Sequence, residues 1–243
     1  MRTFLKSLPF IGPSLTRVYN WKTGDAGRQL QRILRDQKDL YIVQIGSNDG
    51  ITGDPIHALL QSHPSWKALL VEPVPFLFER LCENYSDIPN IRFANVAIAE
   101  EAGITTFYFV DPVAKDYVPG LPCWFEQLGS FDRGHITRHL GDALERFIVS
   151  TQISTFPLSA VLKRNNVNKI DLLHIDTEGH DWIVLRQLDL SSFCPHVILF
   201  EHKHLSEDDK KKALAFLKRD YRITNLGVDY LCRSTRRCAV ASL

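Results

Sequence analysis

The chain has no strong excess of either charge, no close cysteine pair, no long apolar run and no three-glycine turn, and each absence removes a class of function. Lysine and arginine number 29 against 28 aspartates and glutamates, so no global field draws the chain to nucleic acid or to an anionic membrane, and neither partner is expected. The local run of Lys210, Lys211, Lys212, Lys218 and Arg219 reads as the solvated face of a helix. The five cysteines, Cys82, Cys123, Cys194, Cys232 and Cys238, are scattered and lack zinc-site spacing, so they read as reduced thiols of a cytoplasmic protein. Residues Met1 to Trp21 include Arg2 and Lys6, but Pro9 and Pro13 interrupt their short apolar stretches, so neither a signal peptide nor a transmembrane segment is expected. Phe4, Leu5, Leu8, Phe10 and Ile11 are expected to pack on the domain or on a partner subunit of a homo-oligomer; a peripheral membrane contact is the other reading. The missing third glycine counts against a NAD(P)-dependent Rossmann oxidoreductase.

What is present suits one α/β domain over residues 1–243, with 44% hydrophobic residues for its core. Residues 1–39 form an N-terminal helical extension, in which Leu30, Ile33 and Leu34 mark a surface helix over Asp25 to Asp39, an accessory lid or brace. Tyr41 to Ile45 is short, β-branched and free of charge, as a strand buried on both faces should be. The turn Gly46 to Gly50 follows, then a helix from Pro55 to Ser62, a strand from Trp66 ending at Glu72-Pro73, a helix from Phe76 to Tyr85 and a strand from Ile91 to Val96. Gly103 to Val110 is β-rich and either extends the sheet or forms an edge hairpin. Residues 111–146, broken by prolines and glycines, read as an insertion or lid carrying one short helix. Strands are then expected at Phe147 to Thr155, Ile170 to Asp176, His196 to Phe200, Arg222 to Asn225, Tyr230 to Cys232 and Cys238 to Val240. Helices fall at Pro157 to Asn165, Trp182 to Leu188 and Ser206 to Lys218.

Chemistry gathers where strands end. Gly46 and Gly50 can adopt backbone angles closed to other residues and let a ligand approach the main chain, while Ser47, Asn48 and Asp49 add polar groups at the carboxyl end of the strand. Glu72 lies about 22 residues beyond Gly50, near the interval at which nucleotide-binding α/β folds place a carboxylate for ribose hydroxyls. Asp176 closes an apolar strand and should emerge at the same sheet edge. Glu178 can accept hydrogen bonds or cap a helix with Asp181, and His180 is a candidate general base or a surface histidine. Glu201-His202-Lys203-His204 follows a further strand; Asp176, Glu201 and His202 could hold a divalent ion, or orient an acceptor directly.

These residues carry a resemblance. Val43 to Gly50, Val71-Glu72-Pro73, Asn95-Val96-Ala97-Ile98, Leu128-Gly129-Ser130-Phe131, Ile175 to Asp181 and Leu199 to His202 run in the order of the FkbM-type methyltransferases, within the class I S-adenosylmethionine-dependent enzymes. The resemblance implies a Rossmann-like sandwich: a mostly parallel central sheet, an antiparallel C-terminal strand and helices on both faces. It implies S-adenosylmethionine as cofactor, with Gly46, Ser47, Asn48, Asp49 and Gly50 at its methionine part, Glu72 and Pro73 at the ribose, Asn95, Val96 and Ala97 near the adenine, and Asp176 alongside. Its acceptor would be a hydroxyl of a small molecule or sugar, oriented by Glu178 and Glu201, with His180 or His202 taking the proton and Asp176 assisting. The family more often has lysine where His174 stands, and a small residue then an acid where His180 and Asp181 stand. A non-catalytic cofactor-binding module of the same fold is the alternative, and a divalent metal is not required.

Overall fold

The computed structural model describes residues 25–122 and 124–236. The expected packing of Phe4 to Ile11, the state of Cys123 and the strand at Cys238 to Val240 lie outside the described residues. The first helix, α1, covers residues 25–34, and strand β1 is Tyr41–Ile45. Then come α2 (His57–Ser62), β2 (Lys67–Val71), α3 (Pro75–Asn84) and β3 (Ile91–Ala94). A second group holds β4 (Ala97–Ile98), β5 (Gly103–Val110), α4 (Ala114–Tyr117), α5 (Arg133–Leu140) and β6 (Ile148–Phe156). The chain returns through α6 (Leu158–Arg164), β7 (Leu172–Ile175), α7 (Asp181–Leu185), β8 (Val197–Glu201), α8 (Glu207–Leu217), β9 (Tyr221–Asn225) and β10 (Asp229–Ser234).

The main sheet has seven strands in the order β3-β2-β1-β7-β8-β10-β9, all parallel except β10, which runs antiparallel to both neighbours. The chain winds outward from β1 to β3 and restarts at β7 on the other side of β1. Sheet order therefore reverses between β1 and β7, and the crevice beyond their carboxyl ends is where such sheets bind ligands. This is the Rossmann-like architecture expected above, antiparallel C-terminal strand included.

Alternation along the central strands assigns each side chain to a layer. Val43, Ile45, Leu69, Val71, Leu173 and Ile175 face one way, onto Leu158, Val161 and Leu162 of α6, Val184 and Leu185 of α7 and Leu217 of α8. Ile42, Ala68, Leu70, Leu172 and Leu199 face the other way, onto Leu30 and Leu34 of α1, Leu59 and Leu60 of α2 and Leu81 of α3. Both faces are dry, which is why these strands read as continuous apolar runs. Helix α1 is a brace, with Ala26, Leu30 and Leu34 buried against the sheet.

Strands β5 and β6 do not extend the main sheet. They pair antiparallel over Gly103 to Val110, and β4 adds to β6, making a separate three-stranded sheet in the order β4-β6-β5. Phe107 and Ile153 of this sheet pack with Val74 and Leu77 at the start of α3. Residues 111–146 hold more helix than the one short piece expected: α4, α5 and 3-10 turns at Phe125–Gln127 and from Asp142 on, joined by a core of Val110, Ala114, Phe125, Ile136 and Leu144. The prolines and glycines there punctuate short helices instead of excluding them. No helix among the described residues is long and apolar enough to cross a membrane.

Candidate active site

The turn after β1 is fastened to its neighbours on both sides. The backbone N–H groups of Gly46 and Ser47 donate to the Val71 carbonyl at 2.9 and 3.0 Å, and the Ser47 hydroxyl accepts from the Val71 N–H at 3.1 Å. Gly46 has φ +81°, and a Cβ built on it would stand 1.8 Å from the Asp176 carbonyl oxygen. Gly50, at φ +74°, would drive a Cβ to 2.3 Å from the Tyr85 ring and 2.6 Å from Leu81. The glycines therefore admit close approach of this chain's own β7 end and α3, where the sequence suggested approach of a ligand. Asp49 turns inward on its own loop, accepting from the N–H groups of Ile51 and Thr52 at 2.9 and 2.8 Å.

Glu72 follows β2 and is buried, with one carboxylate oxygen accepting from the Asn48 N–H at 2.9 Å and the other from the Val74 N–H at 2.8 Å. Burial pushes its carboxyl up to about 7, against the lowering effect of those two donors. Each oxygen still has a lone pair for a further donor. Glu72 and Pro73 line an outer cavity with an apolar side of Leu77, Val96, Ala97, Ile98, Phe107 and Phe131 and a polar side that includes Asn48, Asp176, Thr177, Glu178 and His180. Asn95 is one step removed, donating to the Glu72 carbonyl at 2.8 Å and so bracing the strand end.

Gly46, Asn48, Gln127, Asp176 and Glu178 line this cavity and also a second, inner one. The inner cavity has about 190 Å³ of free space, far above the roughly 10–15 Å³ that one water needs. Its walls are polar and acidic: Gln44, Ser47, Asp54, His174, Glu201 and Asp229 among them. Gln44 and His174 are register partners on β1 and β7, the polar residues in two otherwise apolar strands. The oxygens Gln44 Oε1, Asn48 Oδ1, Asp54 Oδ2 and Glu201 Oε2 are buried with no hydrogen-bond partner. Four acceptors without donors mark a cavity shaped for a ligand that donates, an ammonium or a set of hydroxyls.

The acids repel one another. Asp176 is exposed to the open cavity but ringed by protein, and that enclosure, then Glu178, Asp181 and Asp229, pushes its carboxyl upward. Burial followed by Asp176 and Glu178 does the same to Glu201, and burial, opposed by hydrogen bonds from Ile56 and Gln44, brings Asp54 up to about 7. Glu178 behaves in the opposite sense: burial opposes its charge, but the hydrogen bond from His135 and the nearby His204 outweigh that and hold it below its ordinary value.

Two sequence candidates sit elsewhere. His180 lines the outer cavity, its ring 4.9 Å from that of Phe131, so the structure separates it from the inner cavity. His202 lines neither cavity: its backbone N–H continues the pairing to the Val228 carbonyl, its ring stacks on Tyr230 at 3.8 Å, and its Nε2 lies 3.3 Å from Asn225 Oδ1. The metal grouping of Asp176, Glu201 and His202 is thus not assembled, because His202 points away from the other two. His204 takes the place at the cavity wall, with His139 of α5 facing it. Asp181 caps its own loop, accepting from the Gly179 N–H at 3.2 Å, and burial pushes its carboxyl up to about 8. Sequence reading passed over Gln44, Asp54 and His139, and named His204 in its cluster without a role of its own; the signal for Gln44 was a polar residue inside an apolar strand.

The 3-10 turn at Phe125–Gln127 overlies both cavities through Gln127, which lines each. Glu126 pairs with Arg80 of α3, and Gln127 donates to the Thr52 carbonyl at 2.6 Å.

Among solved structures, the chain is similar to the fibrillarin/Nop5p complex, with 14% identity and TM-score 0.46 over 87% of this chain and 82% of that one. It is similar to precorrin-6y C5,15-methyltransferase of Geobacter metallireducens, with 14% identity and TM-score 0.41 over 90% and 76%. A SAM-dependent O-methyltransferase of Thermotoga maritima aligns with 9% identity and TM-score 0.43 over 88% and 66%. No curated protein matches the chain. The methyltransferase FkbM domain matches residues 44–223, from Gln44 on β1 to Ile223 on β9, and so takes in both cavities' strand-end walls together with the inserted sheet. The chain belongs to the FkbM methyltransferase family.

Proposed function

We propose that the chain uses S-adenosylmethionine to methylate a hydroxyl of a small molecule or sugar. The observation that carries this reading is the pair of cavities that meet at Gly46, Asn48, Asp176 and Glu178, one with a largely apolar side beside the buried Glu72 and the other polar with unpaired acceptors. The residues fit the cofactor. Glu72 has free lone pairs for two ribose hydroxyls, Phe107, Phe131 and Val96 offer apolar walls to an adenine, and the acceptor oxygens of Asn48, Gln44 and Asp54 suit an α-ammonium.

Bound there, the cofactor supplies an electrophilic methyl group on a sulfonium. Methyl transfer is an in-line displacement, so the task left to the protein is alignment and exclusion of water. Asp176, on the wall between the cavities, takes the proton of the attacking hydroxyl, and Glu201 on the inner wall helps to orient the acceptor. The roof turn at 125–127 closes over the acceptor side.

Isothermal titration with S-adenosylmethionine, NAD and NADP, followed by transfer of labelled methyl to a panel of sugars and phenols, tests the proposal. Binding of S-adenosylmethionine alone and label on a hydroxyl are expected. Binding of a nicotinamide nucleotide in its place would refute the cofactor, and binding without transfer to any acceptor would favour the non-catalytic module.

A further inference from the structure

Five side chains converge at one end of the inner cavity from three separate parts of the chain. His135 and His139 share a face of α5, Glu178 comes from the β7–α7 turn, and Glu201 and His204 come from the end of β8. Glu178 adopts φ +52°, a left-handed backbone that costs a non-glycine residue roughly 1–2 kcal/mol and is kept where the surroundings hold it.

Hydrogen bonding fixes the protons. His139 Nδ1 lies 2.9 Å from the His135 carbonyl oxygen, which can only accept, so Nδ1 carries a proton and, in the neutral imidazole, Nε2 a lone pair. His204 Nδ1 lies 3.0 Å from that Nε2 and therefore donates to it. The lone pair of His204 Nε2 is left facing Glu178 Oε2 at 3.4 Å and Glu201 Oε2 at 3.6 Å. Glu201 Oε2 is buried with no hydrogen-bond partner, and no lysine or arginine among the described residues forms an ion pair with Glu178 or Glu201. Three electron-pair donors thus point at one another with no positive charge between them.

We infer that Glu178, Glu201 and His204 bind a divalent transition-metal ion of the zinc class, in a site open to the inner cavity and organised from outside by His135 and His139. Bonds of roughly 2.0–2.2 Å in tetrahedral geometry put neighbouring ligand atoms about 3.3–3.6 Å apart, and the two contacts to His204 Nε2 fall at 3.4 and 3.6 Å. One imidazole and two carboxylates make a borderline ligand set that suits zinc, manganese or iron better than calcium. The outer partners have the arrangement metal sites use: His139 accepts from the Nδ1–H of the ligating His204, and His135 Nε2 donates to the ligating Glu178 at 3.3 Å. Three protein ligands leave a coordination position for a ligand in the cavity. The site is assembled from residues other than Asp176 and His202, and it stands whether or not a methyl group is transferred.

The test uses the full chain stripped of metal, without cofactor or acceptor, and titrates it with Co2+ as a visible probe. One equivalent should bind with the ligand-field absorption of a four-coordinate ion, and Zn2+ should displace it. Glu201→Gln and His204→Gln should abolish the absorption, while His139→Ala should weaken Co2+ binding roughly 10–100-fold. The exposed Asp208→Asn should leave it unchanged. Circular dichroism and melting temperature establish that each variant is folded. A folded wild type without the absorption, or undiminished binding in folded Glu201→Gln and His204→Gln, would overturn the inference. Because S-adenosylmethionine binding is measured separately, failure of the metal site and failure of the methyltransferase reading give different results.

Discussion

Replacing Gly46 with alanine separates two reasons for a glycine at the head of a ligand loop. If Gly46 makes room for a cofactor, Gly46→Ala should fold normally and bind poorly. The structure predicts the reverse order of damage, because the space a Cβ needs is taken by the Asp176 carbonyl oxygen at 1.8 Å, an atom of the backbone that cannot swing aside. A left-handed φ costs a residue with a Cβ roughly 1–2 kcal/mol. Forcing apart a packed contact adds roughly 1–3 kcal/mol. The ligand-free variant should thus lose roughly 2–5 kcal/mol, and at about 2–4 °C per kcal/mol for a domain of this size its melting temperature should fall by about 4–20 °C. Differential scanning calorimetry without ligand reads this directly, and titration with S-adenosylmethionine at a temperature where the variant is still folded reads the secondary loss of affinity. A melting temperature within about 2 °C of wild type would refute the steric reasoning, and reduced affinity alongside it would return the glycine to a ligand role.

Glu72→Gln should weaken S-adenosylmethionine binding by at least tenfold, since one of the two backbone N–H groups now facing a carboxylate would face an amide that can donate. The Glu72 carboxyl is raised from an ordinary 4.5 to about 7, so it favours the fold fully below about 4.5, and that contribution, at most about 3 kcal/mol, is lost as pH rises through about 7. Ligand-free melting temperature should accordingly decline across that window in wild type and less in Glu72→Gln; parallel curves would count against it. Cofactor affinity should rise over the same window, because the ionised form accepts from both hydroxyls, and a flat profile in wild type would contradict the ribose assignment. Asp176→Asn should lower kcat by roughly 10²–10⁴-fold with a much smaller change in cofactor affinity, and an unaltered kcat would remove Asp176 as the base.

The main sheet was legible because its central strands are buried on both faces and so appear as largely apolar runs, interrupted only at Gln44 and His174, that stop at Gly46, Glu72, Asp176 and Glu201. Those stops place the four residues at one sheet edge. Strands β5 and β6 carry the same β-branched and aromatic composition, and composition alone does not say which sheet a strand joins. Their separation follows from pairing with each other over eight positions and from packing on α3. At the end of β8, His202 continues the strand's pairing while His204 falls after the chain has turned, which puts the second histidine at the cavity wall. The approach of α5 to that wall joins residues some 65 positions apart, a long-range contact that no local pattern encodes.

The roof described above has two fastenings of different kinds. One is the Arg80–Glu126 ion pair, partly open to solvent, and the other is the neutral hydrogen bond from Gln127 to Thr52. Salt weakens the first and leaves the second nearly untouched. Because Gln127 of this turn lines both cavities, access to each should respond to ionic strength. The turn is thus held by one fastening that salt can loosen and one that it cannot, which gives ionic strength a handle on both cavities at once.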